Sequence, residues 1–146
     1  MTSATKSFAS LSKNKEIMEL MSKRDDDPSG RLIGPEVYRS VYGQPSPEHN
    51  ILLIREYEVD RKFLPQSIEI LSEADALAKD EDTNILALYP VIAAKMDTLY
   101  VVYYYSSFES MGDIIDRIGM SKEFQNLVSK AKETGKWKAS NGVKIM

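Results

Sequence analysis

The run Thr98–Tyr105, TLYVVYYY, is apolar or aromatic on both of its alternating faces. In an extended chain successive side chains point to opposite sides. Leu99, Val101, Tyr103 and Tyr105 therefore face one way, and Tyr100, Val102 and Tyr104 the other. Such a strand needs cover on both sides of its sheet. The chain has 146 residues, enough for one domain with a real hydrophobic core.

Two further runs share the feature. In NILLIREYEV, Ile51, Leu53, Tyr57 and Val59 lie on one face with Arg55, while Leu52, Ile54, Glu56 and Glu58 take the other. Its early part is apolar on both sides and its later part alternates, as for a central strand whose far end meets solvent. In NILALYPVIAAKM, Ile85, Ala87, Tyr89 and Val91 alternate with Leu86, Leu88 and Ile92. Pro90 cannot donate to a ladder, so this strand is expected at an edge or with a bulge. Lys95, Met96 and Asp97 form the turn of a hairpin with the tyrosine strand.

Between the first two strands, RKFLPQSIEILSEADALAKDED carries a helical stripe of Leu64, Ile68, Leu71 and Ala78, with Pro65 acceptable in the first turn. Ala74, Ala76 and Ala78 are small enough to let this helix approach a sheet closely. After the tyrosine strand, Ser106 followed three residues on by Glu109 reads as a capping box. Met111, Ile114, Ile115 and Ile118 follow at helical spacing. Gly119 and Ser121 interrupt, and Phe124, Leu127, Val128 and Ala131 resume, giving two helical pieces re-capped at Ser121 or one kinked helix. Thr134 and Gly135 end it. The tail offers a short strand around Val143–Met146, or a Trp137 that pins it.

Upstream, a short amphipathic helix is expected over about 13–24, with Ser12 as its cap and Ile17, Leu20 and Met21 as its stripe. From Arg31 to Asn50 the prolines at 35, 45 and 47 predict irregular chain. Residues 1–47 thus read as an extension and 48–146 as the domain.

The order strand, helix, strand, strand, helix, weak strand is the split βαβ order of the ferredoxin-like fold. It predicts an α+β domain whose helices cover one face of a four-stranded antiparallel sheet. The other face is left to a second copy, with two sheets packed face to face, or in part to the N-terminal extension.

TLYVVYYYSSFESMGDIIDRIGMSKEFQNLV resembles the dimeric α+β barrel superfamily, which includes antibiotic-biosynthesis monooxygenase-like proteins. The match lies in a β-rich strand with tyrosines, a short polar link, a helix, and an EFqaL-type segment at Ser121–Leu127. ILLIREYEVDRKFLPQSIEIL resembles that superfamily's first strand running into its first helix. The resemblance covers about residues 50–135. It implies a homodimer and a ligand site between sheet and helices or inside the dimer barrel. It further implies a small apolar or aromatic ligand and, in some members, cofactor-independent oxygenation. The haem-degrading type is a poor match, because its axial histidine lies on a helix and the sole histidine here, His49, precedes the first strand. The alternative is a non-catalytic module that dimerises through its sheet face.

Composition narrows the classes further. A net charge of −3 argues against nucleic acid as the main partner. The lysines at 122, 130, 132, 136, 138 and 144 suit a solvated helix face and tail. The absence of cysteine excludes thiol nucleophiles and Cys-ligated metals. No apolar run has signal-peptide or membrane-span length, which predicts a cytoplasmic protein without membrane contact. PSGRLIG lacks the strand and helix that a phosphate loop needs.

Parity sorts the candidate site residues. Arg55, Tyr57, Tyr89, Tyr103 and Tyr105 are the candidates for contact with a ligand, and the same rings also suit plain sheet packing. A guanidinium at Arg55 among apolar neighbours needs a partner: Asp75, Asp97 or the carboxylate of a ligand. Glu56 and Glu58 point the other way. His49, in the polar loop SPEHN, is a weaker acid–base candidate and is expected to be solvent-exposed. Glu48 and His49 do not form a metal motif, and no Ser-His-Asp set follows from one loop histidine. No cofactor or metal is expected.

Overall fold

The computed structural model describes residues 34–146 together with Lys15, Glu16 and Glu19, which are helical. The rest of the helix expected over 13–24 lies outside the described residues. The chain divides into two compact units, Met1–Gly34 and Pro35–Met146.

The second unit is an α+β structure built on a five-stranded antiparallel sheet, with β1 Val37–Tyr42, β2 Ile51–Glu58, β3 Thr83–Ile92, β4 Thr98–Tyr105 and β5 Lys136–Lys144. The strands lie in the order β1-β3-β4-β2-β5. Helix α1, Leu64–Leu77, connects β2 to β3. Helix α2, Phe108–Ile114, runs into a π-helical turn, Ile115–Gly119, and then α3, Lys122–Thr134, leads to β5. The expected order of strand, helix, strand, strand, helix and strand is thus present from β2 to β5. All eight residues of β2 pair with β4, from Ile51 opposite Tyr105 to Glu58 opposite Thr98.

The sheet has five strands where four were expected. The stretch read as irregular contains β1, which pairs with β3. Pro35 and Pro45 flank β1 without interrupting it, and as an edge strand it needs partners on one side only. Pro90 sits where the sequence allows it. Val37 lies opposite Ile92 and Tyr38 opposite Pro90, which leaves Val91 as an extra residue in β3. β3 pairs with β4 only as far as Leu88, so Pro90 removes no hydrogen bond from that ladder.

β5 also differs from expectation. It starts at Lys136, seven residues earlier than the expected Val143, and contains Trp137. Its side chains are exposed nearly throughout, so no apolar alternation marks it.

The helix boundaries follow local chemistry. Pro65 falls in the first turn of α1. The cap of α2 is Ser107, whose hydroxyl accepts from the Ser110 N–H at 3.0 Å, one residue later than the expected Ser106. Ser121 does re-cap the chain, accepting from the Phe124 N–H at 3.2 Å. Gly135 ends α3 in an extended conformation, so its role is not a left-handed turn. A side chain there would meet Val59 Cγ2 at 2.6 Å, and glycine is what lets α3 close onto the end of β2.

Two clusters fill the space between sheet and helices. One joins Leu64 and Leu71 of α1 to Ile85, Ala87, Tyr89, Leu99 and Val101. The other joins Ile114 to Ile51 and Tyr105. The opposite face of the sheet carries its own cluster of Leu86, Val102 and Tyr104, with Leu52, Ile54 and Leu88 against it. Both parities of β4 are therefore packed, as its sequence requires.

Candidate functional site

Between the sheet and the helices the packing is incomplete. Three neighbouring chambers of about 70, 230 and 370 Å³ open there, and Arg55 lines all three. The smallest lies under α1 and α3. The middle one is bounded by Leu53, Tyr103 and Tyr105 from the sheet, Ala74 and Ala78 from α1, and Phe124 from α3. The largest lies between α3 and β5, where Lys132 and Trp137 line it together with Arg55 and Tyr57. Of the alanines that the sequence offered for close approach to the sheet, two are buried. Ala74 and Ala78 face the sheet and leave room, while Ala76 is exposed.

Arg55 occupies the centre of β2, opposite Val101 on one side and Ser140 on the other. It is half-buried, and its guanidinium lies over the Tyr103 ring, 5.3 Å from the centroid. Burial opposes its charge, but interactions with Tyr103, Tyr57 and Tyr105 outweigh that effect and hold its pKa above the ordinary value. Neither carboxylate that the sequence offered forms an ion pair with it. Asp75 accepts from the Tyr42 hydroxyl at 2.7 Å, and Asp97 accepts the Val59 N–H on its backbone oxygen at 2.7 Å. Among the described residues no carboxylate pairs with Arg55.

Burial pushes the Tyr103 hydroxyl well above its ordinary pKa, against the opposing pull of Arg55. Burial raises Tyr105 as well, so both phenols are neutral. A fixed cation beside protonated phenols presents hydrogen-bond donors and positive charge, and the remaining walls are apolar. That arrangement can hold the oxygen atoms of a small, mostly apolar molecule.

The structure brings Arg55, Tyr57, Tyr103 and Tyr105 together in this cleft. It does not bring Tyr89 to them. Tyr89 shares their sheet face but is 2% exposed and donates its hydroxyl to Val59 O at 2.8 Å, with Arg61 over its ring. The cleft residues missed by sequence reasoning are Trp137, Lys132 and the inward side of α3. Their positions depend on where β5 and α3 meet β2, which no local pattern gives.

His49 lies elsewhere, and its side chain is only 10% exposed, contrary to the solvent-facing histidine expected. One ring nitrogen is 2.6 Å from Ser46 Oγ and the other 2.8 Å from Asp82 Oδ1. A serine, a histidine and an aspartate thus do meet, which the 33-residue separation of His49 and Asp82 concealed. Ser46 is 6% exposed and lines none of the three chambers. The two bonds of His49 tie the loop before β2 to the start of β3.

In the π-helical turn, Arg117 donates to both oxygens of Glu81 at 2.6 Å. Of the C-terminal lysines, Lys130 pairs with Glu73 and Lys138 with Glu58. Among the described residues no group of three or more His, Asp or Glu side chains is placed to hold a metal ion. No described helix is long and apolar enough to cross a membrane.

No family model matches the chain, and no curated protein matches it. Among solved structures it is similar to a conserved protein of unknown function from Bacteroides thetaiotaomicron, named as a candidate oxidoreductase. That likeness has 15% identity and a TM-score of 0.46, over 67% of this chain and 99% of the other. It is also similar to a candidate monooxygenase from Fusobacterium nucleatum, at 10% identity and a TM-score of 0.47, over 94% of this chain and 62% of that one. A candidate monooxygenase from Lactobacillus acidophilus gives 7% identity and a TM-score of 0.48, over 92% of this chain and 66% of that one. The chain thus spans less than two thirds of the length of either monooxygenase candidate. Likeness at this level carries no statement about chemistry.

Proposed function

We propose that this chain is a cytoplasmic, ferredoxin-like α+β protein that binds a small apolar or aromatic molecule in the cleft around Arg55, Tyr57, Tyr103 and Tyr105. The β5-β2-β4-β3 portion of the sheet has the strand order of that fold, with β1 added at one edge. The observation that carries the binding reading is the set of three chambers meeting at one half-buried guanidinium that has no carboxylate partner among the described residues. A protein that only needed a packed core would gain by filling this space and removing the charge.

The reaction we associate with the site is oxidation of a phenol to a quinone by dioxygen without a bound cofactor: the substrate supplies the electrons, one oxygen atom enters the ring and the other leaves as water. Here the cleft's task is to hold the substrate away from water and to place hydrogen-bond donors at the oxygen that gains charge. Homodimerisation completes the proposal, with the apolar face formed by Leu52, Ile54 and Leu88 as the contact.

A thermal-shift screen with one- and two-ring aromatics and quinones tests the binding reading. Stabilisation by at least one compound, reduced by Tyr103→Phe or Arg55→Gln, is the expected result. No stabilisation by any compound would leave the cleft as a packing defect and favour a non-catalytic interaction module. Light scattering tests the dimer, and a strict monomer would remove the barrel part of the proposal.

A further inference from the structure

The chain has 22 acidic residues against 19 basic ones, so a described lining free of Asp and Glu is informative. Among the described residues no carboxylate lines any of the three chambers, whereas Arg55 lines all of them and Lys132 lines the largest. Asp75 is bonded to Tyr42, and Glu58 pairs with Lys138. Lys130 and Lys138 are matched by glutamates, and among the described residues Lys132 has no ion pair. The positive charge of this cleft is balanced by no described residue within it.

We infer that the ligand is an aromatic monocarboxylate whose acid group seats on Arg55 and whose ring fills the apolar chamber under Ala74 and Ala78. This rests on the cleft being a binding site and adds the chemical class of its occupant. A carboxylate supplies the planar, two-oxygen partner that a guanidinium fork takes best. The hydroxyls of Tyr57 and Tyr103 beside it add donors. The chamber of about 230 Å³ is larger than the ~150 Å³ apolar cavity that accepts benzene. It is smaller than the roughly 300–1,000 Å³ of sites for drug-sized ligands, so a one- or two-ring acid suits it. Lys132, in the adjoining chamber that Arg55 also lines, adds a second positive charge nearby.

The test compares each acid with its isosteric neutral amide: benzoate with benzamide, cinnamate with cinnamamide, and 2-naphthoate with 2-naphthamide. Affinities are measured by calorimetry at neutral pH on the full chain and on Arg55→Met and Arg55→Lys. Trp137 is the only tryptophan, so its emission reports occupancy of the chamber between α3 and β5 by the non-absorbing cyclohexanecarboxylate. At least one acid is expected to bind about tenfold or more tighter than its amide, the size of one charge-assisted hydrogen bond. Arg55→Met should bring acid and amide level, and Arg55→Lys should retain part of the preference. Acid and amide of equal affinity in the full chain, or an acid preference that survives Arg55→Met, would overturn the inference and leave the cleft as a site for neutral molecules. Binding of neither series would overturn the cleft reading as well. Arg55→Lys keeps the comparison decisive if Arg55→Met does not fold.

Discussion

Replacing Arg55 with methionine separates a binding residue from a structural one without any ligand. The sequence alone allowed Arg55 to be half of an ion pair at the end of a strand. Removing one member of a buried pair strands the other and costs about 3–5 kcal/mol. The structure predicts a different outcome, because no described carboxylate is stranded when the guanidinium goes. What is lost is the contact with the Tyr103 ring at 5.3 Å, worth about 0.5–2 kcal/mol. What is gained is release from holding a charge partly out of water. That cost is several kcal/mol for a fully buried ion and smaller here because Arg55 is half-buried. Methionine also places an adaptable apolar chain in an apolar cleft. The two effects nearly cancel, so Arg55→Met should lie between unchanged and about 1 kcal/mol more stable. Urea unfolding read at a constant m-value measures this, since a shift in midpoint is then a shift in stability. A loss above about 2 kcal/mol would show that Arg55 holds the fold together. The reading of its charge as unbalanced would then be wrong.

Tyr89→Phe should cost about 1–3 kcal/mol, because it leaves the Val59 carbonyl without its buried donor. The same variant should leave binding in the cleft unchanged, and altered affinity would contradict the core position of Tyr89. Gly43→Ala should lower the stability, and with it the unfolding midpoint, by more than about 1 kcal/mol of free energy for the positive φ alone. Gly43 has φ 68°, and a Cβ there would collide with Ile85 O. An unchanged midpoint would mean that β1 does not pack on β3 as described. Glu81→Gln addresses the acid limb. The Arg117 hydrogen bonds hold the Glu81 pKa below its ordinary value, so its stabilisation is full above that value and fades as pH falls through the folded one. Melting temperatures of the two proteins should differ at about pH 6 and converge well below about pH 4. A constant difference across that range would rule out the charged pair as its source.

The parts of the fold legible in the sequence are those whose environment is two-sided. β2, β3 and β4 announce themselves because both of their faces are packed, and α1 and α3 because one stripe of each is. β1 was missed and β5 only partly seen, for different reasons. β1 packs Val41 and Tyr42 on the core, but the prolines around it masked the pattern of VYRSVY, whereas KWKASNGVK is exposed nearly throughout and carries no apolar alternation. The bonds of His49 were hidden because contact between residues 33 apart depends on the sheet having formed.

For the site, parity was informative about direction and silent about depth. Tyr89, Tyr103 and Tyr105 all point toward the helices, and alternation alone gives them equal standing. What separates them is what stands above. Over Tyr89 the chain from Val59 to Arg61 comes down close enough to take its hydroxyl and cover its ring. Over Tyr103 and Tyr105 stand Ala74, Ala78 and the face of α3, and space remains. A cleft of this kind is created by small residues on a helix that comes from another part of the chain, whereas the residues that use it are set by the strand. Arg55 was the one position where the strand itself carried a warning, since a lone cation on an apolar face demands a partner. Among the described residues neither Asp75 nor Asp97 forms an ion pair with it, and a chamber opens beside the guanidinium. The partner that the strand calls for is thus not supplied among the described residues, and this is the demand that the proposed carboxylate would answer.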